Sequence, residues 1–222
     1  ATSAKGRVVV LGGVDAGKTG FCTYLANRAV RRPANVGYVD GDVGQPETGP
    51  PTTITAVAIA AQSYTLERFR PSSMYFIGHT CPARCQERVI EAIGRCALDL
   101  EGKGAELVVV NTDGWVREGG LRHKALLVGR LRADTIVSLL SPEEEELILR
   151  GQVAGRGGLI HISRPDHIRS RSQDERRENR EHGYRTYFRG AKVWRLGLKG
   201  VRLIHSPLGF MEGHDELAKI EE

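Results

Sequence analysis

VVVLGGVDAGKT, residues 8–19, carries the reading on which the rest of the chain depends. A β-branched run at 7–11 stops at Gly12 and Gly13, and a helical pattern opens after Thr19, so a strand, a glycine-rich loop and a helix follow one another. In that context Gly12, Gly17, Lys18 and Thr19 fit G-x-x-x-x-G-K-[ST]. Glycines let the backbone curl until successive amides point at phosphate oxygens, and the dipole of the following helix adds positive potential at its first turn. Gly12, Gly13, Val14, Asp15, Ala16, Gly17, Lys18, Thr19 and Gly20 are therefore the expected cradle for a nucleotide's phosphates. Lys18 should reach the β- and γ-phosphates, and Thr19 should ligate magnesium.

Outward from this loop the chain alternates strands and helices. The helix after it presents Phe21, Cys22, Leu25, Ala26 and Ala29 on one face, and Pro33 ends it. Strand-like runs follow at 36–40 and near 53–60, 73–77, 107–111, 135–139 and 159–162. Between two of them Pro82 suits a first turn, and Val89, Ile90, Ile93, Ala97 and Leu100 recur at helical spacing up to Gly102. Such alternation predicts an α/β, three-layer sandwich with a mostly parallel sheet whose ligands sit at the carboxyl ends of the strands. With no repeat or linker in sight, residues 1–222 read as one domain. Its Arg-rich helical appendage, about 164–190, is followed by two short strand-like runs at 193–196 and 201–205.

Composition narrows the classes. With 40% hydrophobic and 27% charged residues the chain can bury one core. Its longest apolar run, 56–61, is far short of the roughly 20 residues of a membrane helix. No apolar h-region precedes the first strand, so a cytoplasmic location is expected. Cys22, Cys81, Cys85 and Cys96 lack C-x-x-C pairing and read as reduced thiols. The net charge of +5 fits a polyanion partner, and basic residues crowd between 164 and 199, whereas 141–146 and 212–222 are acidic.

YVDGDVGQPETGPP, residues 38–51, places Asp40, Asp42 and Gln45 at the end of the second strand, facing the nucleotide. In an in-line transfer one acid can hold magnesium while the other accepts the proton of the attacking hydroxyl. If the chain is still extended, Asp40 and Asp42 point to the same side. Gln45 could position the nucleophile or a metal-bound water. GHTCP (78–82) and NTDGWV (111–116) each follow a strand and open onto the same edge, where Trp115 could stack on a base. His79 and Thr80 belong to this edge, His79 without acid or base duty. In RSQDERRENR, 171–180, Ser172 and Glu175 would open a helix as a capping box. On it Arg177 has Asp174 and Glu181 at helical spacing. Arg176 and Arg180 have no such acid, face one another, and would be relieved by a bound anion.

Together GGVDAGKT, DGDVGQPETGPP, GHTCP, NTDGWV and RSRSQDERRENREHGYRTYF resemble the polynucleotide 5′-hydroxyl kinase family that includes the RNA kinase of the pre-mRNA cleavage complex and its ribosomal-RNA-processing relatives. The motifs span about residues 8–190 in family order. The resemblance implies that Lys18 and Thr19 bind ATP and Mg2+, that the segment 42–45 supplies the catalytic aspartate, that Thr112, Gly114 and Trp115 form a substrate clasp, and that Arg176 and Arg180 belong to a mobile lid. Flanking domains of similar eukaryotic proteins have no room here, so the chain is similar to a stripped-down microbial form. The expected reaction is transfer of the γ-phosphate of ATP to a 5′-hydroxyl end of RNA or DNA, single-stranded or end-exposed. Asp42 would be the base, Asp40 and Thr19 would support the metal, and Lys18, Gln45, Arg176 and Arg180 would serve catalysis. The alternatives are an ATP-bound scaffold, against which Lys18, Asp42 and both lid arginines argue, and a GTPase switch, against which the missing Asn-Lys-x-Asp argues.

Overall fold

The computed structural model describes residues 5–32, 34–150, 158–163, 169–195 and 197. The chain parts into two compact units, Ala1–Arg189 and Gly190–Glu222. In the second, residues 191–195 and 197 carry no regular secondary structure, so the strand expected at 193–196 is not formed at 193–195. Leu196, the run at 201–205 and Pro33 lie outside the described residues.

The first unit is a three-layer α/β sandwich built on seven strands: β1 (Gly6–Gly12), β2 (Val36–Gly41), β3 (Thr53–Ile59), β4 (Ser73–Phe76), β5 (Leu107–Thr112), β6 (Thr135–Leu139) and β7 (Leu159–His161). Their order is β4-β3-β2-β5-β1-β6-β7. β2, β5, β1, β6 and β7 run parallel, and β3 and β4 extend one side antiparallel. β1 is flanked by β5 and β6, and Val8, Val9, Val10 and Leu11 are all buried, as a strand covered on both faces requires.

Side-chain alternation in the strands sorts the core into two layers. Val9, Leu11, Val39, Val108 and Val110 pack with α2 (Gln86–Gly102) and α3 (Gly120–Leu131). Val8, Val10, Tyr38 and Val109 pack with α1 (Lys18–Val30) through Cys22 and Ala26. Fully burying one such Val or Leu is worth about 1.5–3 kcal/mol, so each layer outweighs any single loop contact. α1 buries the expected stripe only in part, because Lys18 and Thr23 are buried beside Cys22 and Ala26.

Two helices go beyond the sequence reading. α3 buries Gly120, His123, Lys124, Leu127, Val128 and Leu131, a helical stripe with two polar members. α4 (Pro142–Arg150) begins at the acidic run, with Ser141 Oγ accepting from the Glu144 amide and Glu144 Oε2 accepting from the Ser141 amide. Pro82 opens a separate 3-10 turn, Pro82–Arg84, rather than the first turn of α2. No helix among the described residues is long and apolar enough to cross a membrane.

Candidate active site

The carboxyl ends of β1, β2 and β5 open onto a cleft of about 620 Å³ lined by residues 14–20, Asp42, Gly44, Gln45, residues 80–82, residues 113–115, Arg169, Arg171, Arg176 and Arg180. The loop after β1 turns into α1 through Gly17, whose φ of 88° is left-handed and suits a residue without a side chain. Lys18 lies almost wholly buried, and its Nζ donates to the carbonyl of Gly13 at 2.7 Å. Burial pulls its pKa below the ordinary value, and the carboxylates of Asp42 and Asp113 oppose that shift. A cation held over a loop of backbone amides is a seat for phosphate oxygens.

Asp40 and Asp42 do different work, because β2 ends at Gly41 and the extended geometry stops with it. Asp40 is fully buried. Its Oδ2 accepts from the amides of Glu47 and Thr48 at 2.6 and 3.1 Å, which folds the loop after β2 back on the strand. Asn111 links it to Thr19, with Nδ2 3.5 Å from Asp40 Oδ1 and 3.4 Å from Thr19 Oγ1. Asp42 accepts the amides of Gly44 and Gln45 on Oδ1 at 2.9 and 3.0 Å, and its Oδ2 takes no hydrogen bond among the described residues. One oxygen is thus fixed and the other is left to the cleft. Gln45 donates from Nε2 to the carbonyls of Gly44 and Arg176, so it ties the loop to the lid rather than standing free for a nucleophile.

Thr80, Gly114 and Trp115 line the cleft as expected, but His79 and Thr112 do not. His79 Nδ1 accepts the Cys81 amide and shapes its own loop. Thr112 is buried and its hydroxyl donates to the carbonyl of Val10 at 2.8 Å, joining β5 to β1. Gly114 passes so close to the phosphate loop that an added Cβ would meet Val14 backbone atoms at 2.8 Å.

Sequence reading missed Asp113 and Lys124, a buried ion pair at 2.6 Å. Asp113 Oδ1 also accepts the Trp115 amide at 2.8 Å and so fixes where the indole begins. Burial would raise the Asp113 pKa, but Lys124 holds it below the ordinary value. His123, packed against Trp115 with ring centroids 5.7 Å apart, is pushed down to about 4 by burial and by Lys124, and stays neutral. The signal was Lys124 recurring on the buried stripe of a helix, where an unpaired Lys would not be tolerated.

α5 (Gln173–Tyr187), in the segment expected to form a lid, is opened by the expected Ser172–Glu175 capping box. It crosses the loop after β2, with Gly183 against Pro51 and the Tyr184 hydroxyl 3.4 Å from Thr52 Oγ1. Arg177 pairs with Glu181 at 3.1 Å. Arg176 does have a carboxylate, but a distant one in sequence: Asp15 of the phosphate loop, at 3.4 Å, shared with Arg171 at 2.9 Å. Burial would raise the Asp15 pKa, and these arginines hold it down instead. Arg180 lines the cleft with no carboxylate in ion-pair reach among the described residues.

One buried acid, Asp40, gives stability a pH dependence of defined sign. Burial raises Asp40 from 3.8 to about 6, so the folded state binds its proton more tightly than the unfolded chain does. Its contribution is fully present below pH 3.8 and is lost as pH rises through about 6. Urea unfolding without divalent ions should show the wild type losing on the order of 1 kcal/mol between pH 5 and pH 7 relative to Asp40→Asn. A wild type that holds or gains stability relative to Asp40→Asn over that interval would contradict the assignment.

Comparison with known proteins places this arrangement. The P-loop family of the mRNA cleavage and polyadenylation factor CLP1 matches residues 12–190. The chain is 31% identical over 195 residues to a polyribonucleotide 5′-hydroxyl-kinase of Pyrococcus furiosus, covering 88% of this chain and 54% of that protein. It is 28% identical over the same shares to one of Methanocaldococcus jannaschii. A protein CLP1 homolog of Culex quinquefasciatus is 28% identical, covering 84% of this chain and 46% of that one. The chain thus spans about half the length of the curated relatives it matches. Among solved structures, the wild-type Clp1p–Pcf11p complex is similar in fold, with a TM-score of 0.65, 19% identity, and coverage of 84% of this chain and 50% of that one.

Proposed function

The chain belongs to the P-loop family of the mRNA cleavage and polyadenylation factor CLP1, and on that premise we propose that it transfers the γ-phosphate of ATP to the 5′-hydroxyl end of a polynucleotide. RNA is the substrate class in the names of its archaeal relatives. The reading treats residues 1–222 as one kinase domain with its lid at 164–190. The observation that carries it is Asp42: its Oδ1 is pinned by two amides while Oδ2 faces the same cleft as Lys18, Arg176 and Arg180.

In this cleft Lys18 binds the β- and γ-phosphates, and the acceptor hydroxyl enters between Asp42, Thr80 and Trp115. Asp42 Oδ2 takes the proton of that hydroxyl as its oxygen attacks the γ-phosphorus in line with the leaving β-phosphate oxygen. Burial holds the Asp42 pKa above its ordinary value despite Lys18, which makes it a stronger base than an exposed carboxylate. Arg176 and Arg180 meet the charge that spreads over the transferred group. The Thr19 hydroxyl and, through water, the Asp40 carboxylate are hard oxygen donors, which suit magnesium. Bound there, the ion would neutralise phosphate charge.

The test is incubation with γ-labelled ATP and matched 5′-hydroxyl RNA and DNA oligonucleotides. Label on RNA is expected, and label on neither, with ATP bound, would sink the proposal. Lys18→Ala should weaken ATP binding about tenfold or more by calorimetry and slow transfer as well, because hydrogen bonds to charged groups contribute about 1.5–3 kcal/mol in ground and transition state alike. Unchanged ATP affinity would remove Lys18 from the cradle.

A further inference from the structure

Helix α5 buries none of its residues, so its place over the cleft depends on a few polar contacts. The densest of these converges on Asp15. Its Oδ2 accepts the Arg171 amide at 2.9 Å, its Oδ1 accepts Arg171 Nε at 3.0 Å, and an Arg171 Nη lies 2.9 Å from Oδ1. Arg176 reaches Oδ2 at 3.4 Å. The Asp15 side chain is only 4% exposed, although it sits in the loop that should attract phosphate. A carboxylate there works against phosphate binding unless cations take up its charge.

We propose that Asp15 is the positioning residue of the lid: Arg171 is its fixed anchor, and Arg176 is held beside the phosphate loop ready to pass to a phosphoryl oxygen. The geometry separates three of the four arginines that line the cleft. Arg171 makes three contacts with the carboxylate, one of them from the backbone. Arg176 makes a single contact at 3.4 Å, longer than the roughly 2.7–2.9 Å of a strong charge-assisted bond, so little is lost when a phosphate replaces it. Arg180 makes none among the described residues. The lid's docking on Asp15 stands on these contacts alone, and only the hand-over of Arg176 rests on the proposed phosphoryl transfer.

The test uses the full chain without nucleotide, followed by hydrogen exchange, as wild type, Asp15→Asn, Arg171→Ala and Arg171→Lys. Asp15 has φ 52°, a left-handed conformation that Asn tolerates as well, so the loop should keep its path while losing the charge. Amides of α5 should exchange about tenfold faster in Asp15→Asn and Arg171→Ala, with Arg171→Lys between them and the wild type, while β1 and β5 stay protected. Unaltered exchange in α5 would overturn the proposal. In the same variants ATP affinity should stay within about threefold while single-turnover transfer falls about tenfold, since a displaced lid affects the transition state more than the ground state. Loss of ATP affinity with α5 exchange unmoved would assign Asp15 to the cradle and likewise overturn it. If α5 loosens as expected but the wild type transfers no phosphate, the kinase reading fails and the anchor remains.

Discussion

Asp42→Asn is expected to leave ATP bound and to slow phosphoryl transfer by at least about a hundredfold, the lower end of what a general base contributes. The side chain keeps its size, and the retained carbonyl oxygen can still accept the Gly44 and Gln45 amides, so the loop after β2 should hold its shape. What is lost is the carboxylate oxygen facing the cleft. Removing its charge should also take from the buried Lys18 the carboxylate that most supports its protonated form, which would lower the Lys18 pKa further. Single-turnover rates with ATP affinity measured alongside separate the two effects. Turnover near the wild-type value would take the base role from Asp42.

Much of this site could be read before any coordinates, and the reasons differ by residue. The phosphate loop is local: strand, glycines, lysine and helix are all within one short stretch, and each imposes a spacing. The strands were legible because β1, β2, β5 and β6 are parallel and largely buried, and so read as apolar runs. α3 was not, because its buried stripe includes His123 and Lys124, which break the apolar periodicity. α4 had a signal, Ser141 and Pro142 followed by acids, but it read as surface charge rather than as a helix start.

The site diverged from the sequence reading where a side chain's partner is not one of its neighbours on the same strand or helix. Thr112 and His79 sit at the correct edge but turn their polar atoms into the framework, which spacing along one strand cannot reveal. Asp40 was read as a partner of Asp42, and its carboxylate is instead taken by amides seven and eight residues on. The largest gap was Asp15, which is 156 residues before Arg171 and 161 before Arg176. Neighbour counting within a helix cannot see it.

That distant carboxylate changes the basis of the lid experiment without changing its direction. Arg176 and Arg180 lie one turn apart on α5, and Asp15 partly relieves the like-charge contact between them, so repulsion alone does not mark both as phosphate ligands. Position does, since both line the cleft that holds Lys18 and Asp42, and Arg177 does not. Replacing either cleft arginine with Ala should remove about 2 to 4 kcal/mol of transition-state stabilisation, as loss of a preorganised charge donor does elsewhere. Arg180→Ala should do so with α5 exchange unchanged, because the Arg180 side chain makes no ion pair or hydrogen bond among the described residues. Arg176→Ala should show the same loss of rate with at most a small gain in exchange, since its one contact with Asp15 is long and its other bond goes to the nearby Arg171 carbonyl. Arg177 is 74% exposed and, among the described residues, paired only with Glu181, so its replacement should leave transfer within about twofold of wild type. Single-turnover rates are required, because a lid that also gates product release could hide a chemical defect in steady state. Equal slowing in all three variants, or a larger effect at Arg177, would mean that the helix acts through its overall charge and not through two placed guanidinium groups.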